Sequence, residues 1–448
     1  MYNELRAKYP VFNYNGFNIE EQDENMVITY DFEIVGLSKF NPTWTVKKAG
    51  ADLKDSALRN MVFNLGMVEL VSYWKITCSP QVNVKCGNLD KEQIQWWKKL
   101  YFNGLGECFF LNNITDDVEH FMNISCDNTE KFTPPSVVPH KGCMVPIGGG
   151  KDSSVSLSVL EDFREDNWCY IINPRGATLN TVKVADYEDK TLVANRTLDK
   201  RMLDLNKQGG FINGHTPFSA IVAFSAILVA YINGIKYVAL SNESSANEST
   251  VEGSYVNHQY SKSFEFENDF REYEEQYIKS GVYYFSLLRP LSEYQIAGLF
   301  ANYTKFHPIF RSCNAGSKED IWCGNCPKCL FVYIIMSPFI NPQDLVSIFG
   351  SNLFEKESLM EDFQKLIGIA PEKPFECVGS RDEINFALAE AVKKYDTLPL
   401  LLEYYKTTDL YKEYCTKENP YNSFYDSENC LPPQFEDKLK GALKCINS

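Results

Sequence analysis

Apolar and polar positions alternate over residues 10–50, as in NMVITYDFEIVGLSKF, and this period of two predicts paired strands at the start of the chain. From Asp55 to about Trp97 the period lengthens: LRNMVFNLGMVELVSYWKI and DKEQIQWWKKLYFNGLGE carry apolar residues at i, i+3 and i+4, the spacing of a helical face. The polar, proline-bearing stretch NTEKFTPPSVVPHKG, residues 128–142, breaks both patterns and reads as a linker. After it, apolar strand-like runs alternate with helical ones: CMVPI, a helix from Asp152, WCYIIN, the helix PFSAIVAFSAILVAYI, and IKYVALS. That order predicts a parallel sheet with helices on both faces, whose ligands sit at the carboxyl ends of the strands. From Ser337 the chain reads helical and ends in an irregular tail rich in Tyr, Asn and Pro. The expected fold is α/β, with a β-rich α+β domain over residues 1–135, a parallel-sheet domain over 140–336 and a mainly helical region over 337–448.

A net charge of -15 argues against a non-specific nucleic-acid binder, because phosphate contacts need clustered Lys and Arg. No uninterrupted apolar run is long enough for a membrane span, and MYNELRAKYP lacks the apolar core of a signal peptide, so a cytoplasmic protein is expected. Of the 14 cysteines most are scattered singly, as at Cys78, Cys86, Cys108, Cys169 and Cys377, which suits reduced thiols better than a disulfide framework.

Two motifs carry chemistry. In CMVPIGGGKDSSVSLSVL a strand stops at Gly148-Gly149-Gly150 and restarts as a helix near Asp152, leaving backbone N–H groups aimed at one point, an anion site. The hydroxyls of Ser153 and Ser154 can donate to phosphate oxygens. The spacing is not that of a Walker A loop. It resembles the Ser-Gly-Gly-x-Asp-Ser loop of the N-type ATP pyrophosphatases, the HUP-like PP-loop superfamily, with Gly149, Gly150, Asp152 and Ser153 on the matching positions and Gly148 in place of the first Ser. The resemblance implies ATP bound for attack at its α-phosphorus, with Asp152 helping to place Mg²⁺ and Lys151 neutralising charge. The second motif, CNAGSKEDIWCGNCPKCLF, spaces Cys313, Cys323, Cys326 and Cys329 for one tetrahedral metal, expected to be a structural Zn²⁺ because four thiolates leave no open position, with an Fe–S cluster as the alternative. A pyrophosphatase loop followed by such a cluster also resembles 7-cyano-7-deazaguanine synthase, another adenylating enzyme.

Between the motifs, Thr216 as N-cap, Pro217 at the first helical position and Gly234 past the end bound a helix, which puts His215 at a helix N-terminus as a neutral base. Asn242, Glu243, Asn247 and Glu248 follow IKYVALS, where catalytic loops fall in this architecture. His258, Tyr260 and Lys262 share one polar segment suited to a sugar nucleotide, and Arg289, Lys305 and Arg311 are further basic candidates.

PIGGGKDS, INGHTPFSA, SYVNHQYSKSFEFE, CGNCPKCLF and KPFECVGS, in that order behind a β-rich start, resemble the MurL-type, ATP-dependent UDP-N-acetylmuramoyl-L-alanyl-L-glutamate epimerases of bacterial peptidoglycan synthesis. The resemblance implies inversion of a terminal L-Glu to D-Glu on a UDP-MurNAc-dipeptide, with ATP converted to AMP and pyrophosphate. Removing the α-proton of a free carboxylate would make a dianion, so the carboxylate is first converted to an acyl-adenylate. His215, His258 and Cys377 are the candidates for proton exchange, Asp152 and Glu243 the catalytic carboxylates, and Asn242, Tyr260, Lys262 and Arg311 the substrate-binding residues. An adenylating ligase or tRNA-modifying enzyme and a nucleotide sensor without chemistry are the alternatives, and the acidic charge disfavours tRNA. The sequence leaves the oligomeric state open.

Overall fold

The computed structural model describes residues 1–444 apart from residues 127, 130, 314 and 317. Its strands are β1 (Val11–Gln22), β2 (Asn25–Ile34), β3 (Ser38–Phe40), β4 (Thr43–Lys47), β5 (Gln81–Val84), β6 (Asn123–Cys126), β7 (Lys141–Pro146), β8 (Asn167–Ile172), β9 (Thr191–Thr197), β10 (Ile235–Leu240) and β11 (Tyr283–Ser286). They form one 11-stranded sheet in the order β11-β10-β7-β8-β9-β4-β2-β1-β5-β6, with β3 beside β2. β7 to β11 are mutually parallel, as the strand–helix alternation predicts. β5, β6, β9 and β11 were not legible as strands in the apolar pattern; three of them are only four residues long.

The boundary expected after residue 135 separates no core. β4 pairs antiparallel with β9, Thr45 opposite Asn195, so the first 135 residues and the parallel strands share a single sheet. Across that seam Arg196 donates to both carboxylate oxygens of the fully buried Glu69, at 2.9 and 2.7 Å, and Trp44 donates to the same carboxylate at 3.2 Å. The cores divide by sheet face instead. Met144 and Tyr170 point towards the Ser56–Trp74 and Phe218–Ile232 helices, while their neighbours Val145 and Ile171 point towards the Lys151–Val159, Glu293–Asn302 and Pro327–Met336 helices. In β2 only the residues of one face, Met26 to Ile34 taken alternately, are buried, so this half of the sheet is covered on one side.

Two helices depart from expectation. The Ser56–Trp74 helix is buried nearly all round rather than amphipathic, because the sheet and the Phe218–Ile232 helix enclose it. The latter starts at Phe218 with Pro217 in the cap position and no side-chain cap, so Thr216 does not cap it and His215 stands in the preceding loop. The C-terminal region is helical as expected, and within the tail Pro433–Lys444 forms a further helix. Among the described residues no helix is long and apolar enough to cross a membrane.

Candidate functional site

β7 and β10 are neighbours, and the chain leaves them towards opposite edges: β8 and β9 lie beyond β7, β11 beyond β10. The turns after them therefore open a crevice at the carboxyl end of the sheet, where α/β proteins place ligands. A cleft of about 300 Å³ occupies it, lined by Gly148, Gly150, Asp152, Ser153, Asn242, Lys262, Arg311 and Lys328 among others.

Gly149 has φ +82°, and a Cβ there would stand 2.8 Å from the Ala177 Cβ and 2.9 Å from the Thr178 nitrogen. Its carbonyl accepts from the Arg311 N–H at 2.8 Å. Gly148 has open space at the same position. Lys151 does not face the cleft: it is buried, paired with Asp152 and Glu293, and these carboxylates outweigh its burial and hold it protonated. Its charge organises the loop instead of meeting a phosphate directly. Ser154 is also turned away, donating to the Gly150 carbonyl at 3.1 Å from a fully buried position, as a hydroxyl in the first turn of a helix readily does. Ser153 bonds the same carbonyl at 3.3 Å and still lines the cleft. Ser312, which the sequence reading missed, brings another hydroxyl to the cleft wall beside Gly150.

Asn242 lines the cleft and donates to the Ser286 hydroxyl at 3.1 Å. Glu243 is buried behind it. Arg289, a basic candidate from sequence, has no exposure; it donates at 2.5 Å to the carbonyls of both Glu243 and Lys262 and pairs with Glu267, so it fixes the two loops against each other. Arg311 reaches the cleft, with its guanidinium spent on the carbonyls of Pro308, Phe310 and Asp320. Lys305 lies at the surface, 3.8 Å from Glu161. Tyr260 does not line the cleft: it is buried against Phe266, and burial raises its phenol pKa. Asn247 accepts from the Phe264 N–H, and Glu248 pairs with Lys373.

His215, His258 and Cys377 come together beside the cleft. The histidine rings are 4.3 Å apart, and His258 Nδ1 bonds Glu107 Oε2 at 2.5 Å. Burial opposes a charge on His258, but the Cys377 thiolate and Glu107 raise its pKa to about 9. Burial also opposes the Cys377 thiolate, and Lys262, Lys328 and His258 overcome it and lower the thiol to about 6. Burial, His258, Lys75 and Lys262 bring His215 down to about 3, so it is neutral. Lys262 lies beside Cys377, which its charge favours as the thiolate, and lines the cleft, joining the glycine turn to this cluster. The segment carrying Cys377 is pinned by Lys373 N–H to the Thr250 carbonyl at 3.0 Å and by Gln259 to the Val378 carbonyl at 3.1 Å. Glu107 was missed by sequence reading; it sits in a short helix, 151 residues from the histidine it binds, with no motif around it.

The thiols of Cys313, Cys323, Cys326 and Cys329 all lie within 4.8 Å of one another. Cys329 Sγ is 3.4 Å from Cys326 Sγ and 3.6 Å from Cys323 Sγ. Arg311, Ser312 and Lys328 are carried by this knot, which thus shapes one wall of the cleft. A second cavity of about 470 Å³ adjoins through Gly148, Arg175 and Thr178, with Tyr170, Arg196 and Phe218 in its walls.

The chain is 32% identical over 342 residues to a protein of Xanthomonas oryzae pv. oryzae (75% of each chain), 33% over 348 residues to one of Salinispora tropica (76% of this chain, 74% of the relative), and 34% over 351 residues to one of a Micromonospora species (76% of each). Each relative is named UDP-N-acetyl-alpha-D-muramoyl-L-alanyl-L-glutamate epimerase. No solved structure matches the chain. The model of the MurL N-terminal domain matches residues 3–287, continuing from the first strands through β11, and that of the MurL C-terminal domain matches residues 309–407. With both models matched in order and with relatives above 30% identity over three quarters of their length, the chain belongs to the MurL epimerase family.

Proposed function

We propose that the chain inverts the terminal L-Glu of UDP-MurNAc-L-Ala-L-Glu to D-Glu in peptidoglycan precursor synthesis, through an acyl-adenylate made from ATP with release of pyrophosphate and AMP. The observation that carries this reading is the junction at Lys262, which faces the glycine-turn cleft and lies beside Cys377 of the Cys-His cluster, where its charge favours the thiolate. An anion site and a set of proton-transfer groups so joined suit a reaction that activates a carboxylate and then exchanges the proton next to it.

The turn at Gly148–Gly150 and the helix start behind it would receive the β- and γ-phosphates in the manner of a PP-loop. Asp152, in the cleft, would help to hold Mg²⁺, with Glu243 buried nearby adding negative charge, and the ion would supply charge neutralisation to the phosphates. The adjoining cavity suits a nucleoside. Lys262 and Lys328 line the route from phosphate to cluster and would stabilise the oxyanion or enolate. Proton exchange falls to His215, His258 and Cys377, which have suitable protonation states near neutral pH. The four-cysteine knot fits a structural Zn²⁺: its closest sulfur pairs approach the edge of about 3.8 Å expected for a ZnS₄ tetrahedron. The described cysteines form no disulfide, which supports a reducing compartment such as the cytoplasm.

With UDP-MurNAc-L-Ala-L-Glu, ATP and Mg²⁺ in D₂O, the protein is expected to give AMP, pyrophosphate and a D-Glu product deuterated at the α-carbon, and no exchange without ATP. Consumption of the substrate without α-deuteration, or formation of ADP, overturns the proposal.

A further inference from the structure

The arrangement of the candidate bases leads to a further conclusion about the chemistry. Two groups that exchange a proton on opposite faces of one carbon must stand on either side of the substrate. Here the His215 and His258 rings are 4.3 Å apart and Cys377 lies beside His258, each favouring the other's charge, so the three form one group on one side. Within it the order is specific. His258 engages Glu107 through Nδ1, and Cys377 stands close enough to His258 for each to favour the charge of the other. A thiol beside an imidazole whose Nδ1 is held by a carboxylate is the set of groups that activates a nucleophile for acyl transfer.

We propose that Cys377 is an acyl carrier: its thiolate takes the glutamyl group from the adenylate, and the α-carbon is inverted while held as a thioester. The inference rests on the adenylating reading above. Cys377 Sγ attacks the carbonyl carbon of the acyl-adenylate; the C–S bond forms, the C–O bond to phosphorus breaks, and AMP leaves with the electron pair. A thioester, like the adenylate, has no carboxylate charge to oppose loss of the α-proton, and it frees the cleft of AMP before inversion. His215, neutral and beside His258, accepts that proton and passes it to solvent, and a solvent-derived proton is delivered to the opposite face of the enolate. Acylation removes the thiolate charge, so His258 releases its proton to solvent and can then take one from the water that attacks the thioester carbonyl; the C–S bond breaks with its electron pair returning to sulfur, and the product acid gives its own proton to solvent. No oxidant or reductant is needed. A Cys377 thiolate placed to take the α-proton of an acyl-adenylate would stand next to the carbonyl carbon, which is one bond from the α-carbon, and thiolates attack activated acyl groups readily. Lys262, beside Cys377 and facing the cleft, is placed to stabilise the tetrahedral oxyanion in both transfers.

The test uses the full-length protein with UDP-MurNAc-L-Ala-L-Glu, ATP and Mg²⁺, quenched in acid within the first turnover and weighed intact and after proteolysis. The expected result is an adduct of the substrate less one water on the peptide containing Cys377, without AMP, removed by neutral hydroxylamine. Cys377→Ala should still exchange labelled pyrophosphate into ATP, which also reports its folding, while the adduct disappears and α-deuteration falls by at least about a thousandfold. Glu107→Gln should slow adduct formation more than it slows pyrophosphate exchange. Inversion by Cys377→Ala at a rate comparable with the wild type, or AMP formation by the wild type without an adduct, overturns the thioester and leaves adenylation standing. Absence of pyrophosphate exchange and of AMP in the wild type removes both readings.

Discussion

Gly149→Ala measures how far the phosphate turn depends on one backbone position. At φ +82° an L-residue pays roughly 1–2 kcal/mol for the left-handed conformation. The added methyl would also meet the Ala177 Cβ at 2.8 Å and the Thr178 nitrogen at 2.9 Å, and Ala177 and Thr178 lie in the helix Gly176–Val184, which cannot swing aside as a long side chain can. Overpacking of this kind costs about 1–3 kcal/mol, so the two effects together reach about 2–5 kcal/mol. If the fold absorbs the strain, the variant melts earlier. If the turn yields locally, ATP is held more weakly by up to the same free energy, a factor of about 30 to 5,000 in affinity. Thermal unfolding and ATP–pyrophosphate exchange, followed side by side, distinguish these routes. Gly148→Ser is the comparison: its Cβ meets nothing within 4 Å and its φ is not positive, so it should fold normally and keep exchange. Equal melting temperature and equal exchange for Gly149→Ala and Gly148→Ser would refute the reasoning.

Three further outcomes are expected. Glu69→Ala leaves the mostly buried Arg196, 11% exposed, without its carboxylate at the β4–β9 seam and should destabilise the protein by about 3 kcal/mol in denaturant unfolding. One zinc per chain should be found by elemental analysis, and Cys326→Ser should lose it together with folded yield; a well-folded, metal-free variant would contradict the structural role. Alkylation of Cys377, followed by peptide mass spectrometry, should show a midpoint near pH 6 instead of near 9. The linked stability follows in sign. The lowered thiol contributes fully above its unfolded value near 9 and loses that contribution as pH falls towards 6, whereas the raised His258 contributes fully below 6.5 and loses it as pH rises through 9. The two run oppositely, so the melting temperature should change little across that window while the alkylation rate changes strongly.

The sequence by itself determined the features that depend on neighbours along the chain. Three glycines between an apolar run and a helix fix a turn of backbone donors, and the spacing of Cys313, Cys323, Cys326 and Cys329 brings four thiols into one knot, because only short loops separate them. The alternating period of residues 10–50 marked β1, β2 and β4, since each has one buried face, and the apolar runs at β7, β8 and β10 marked strands covered on both. Tertiary structure decided what the charged side chains do. Lys151 and Arg289 look like ligand-binding cations in sequence, yet Glu293 and Glu267, supplied by other elements, draw them into buried pairs where a free charge would be costly. Conversely, Glu107 has nothing around it in sequence to mark it, and it becomes part of the cluster only because folding brings its short helix against the loop of His258 and the segment of Cys377. The joining of the first 135 residues to the parallel strands was equally invisible, for β4 and β9 pair by backbone hydrogen bonds that any two extended segments can make, and only burial of the faces they share selects this partner.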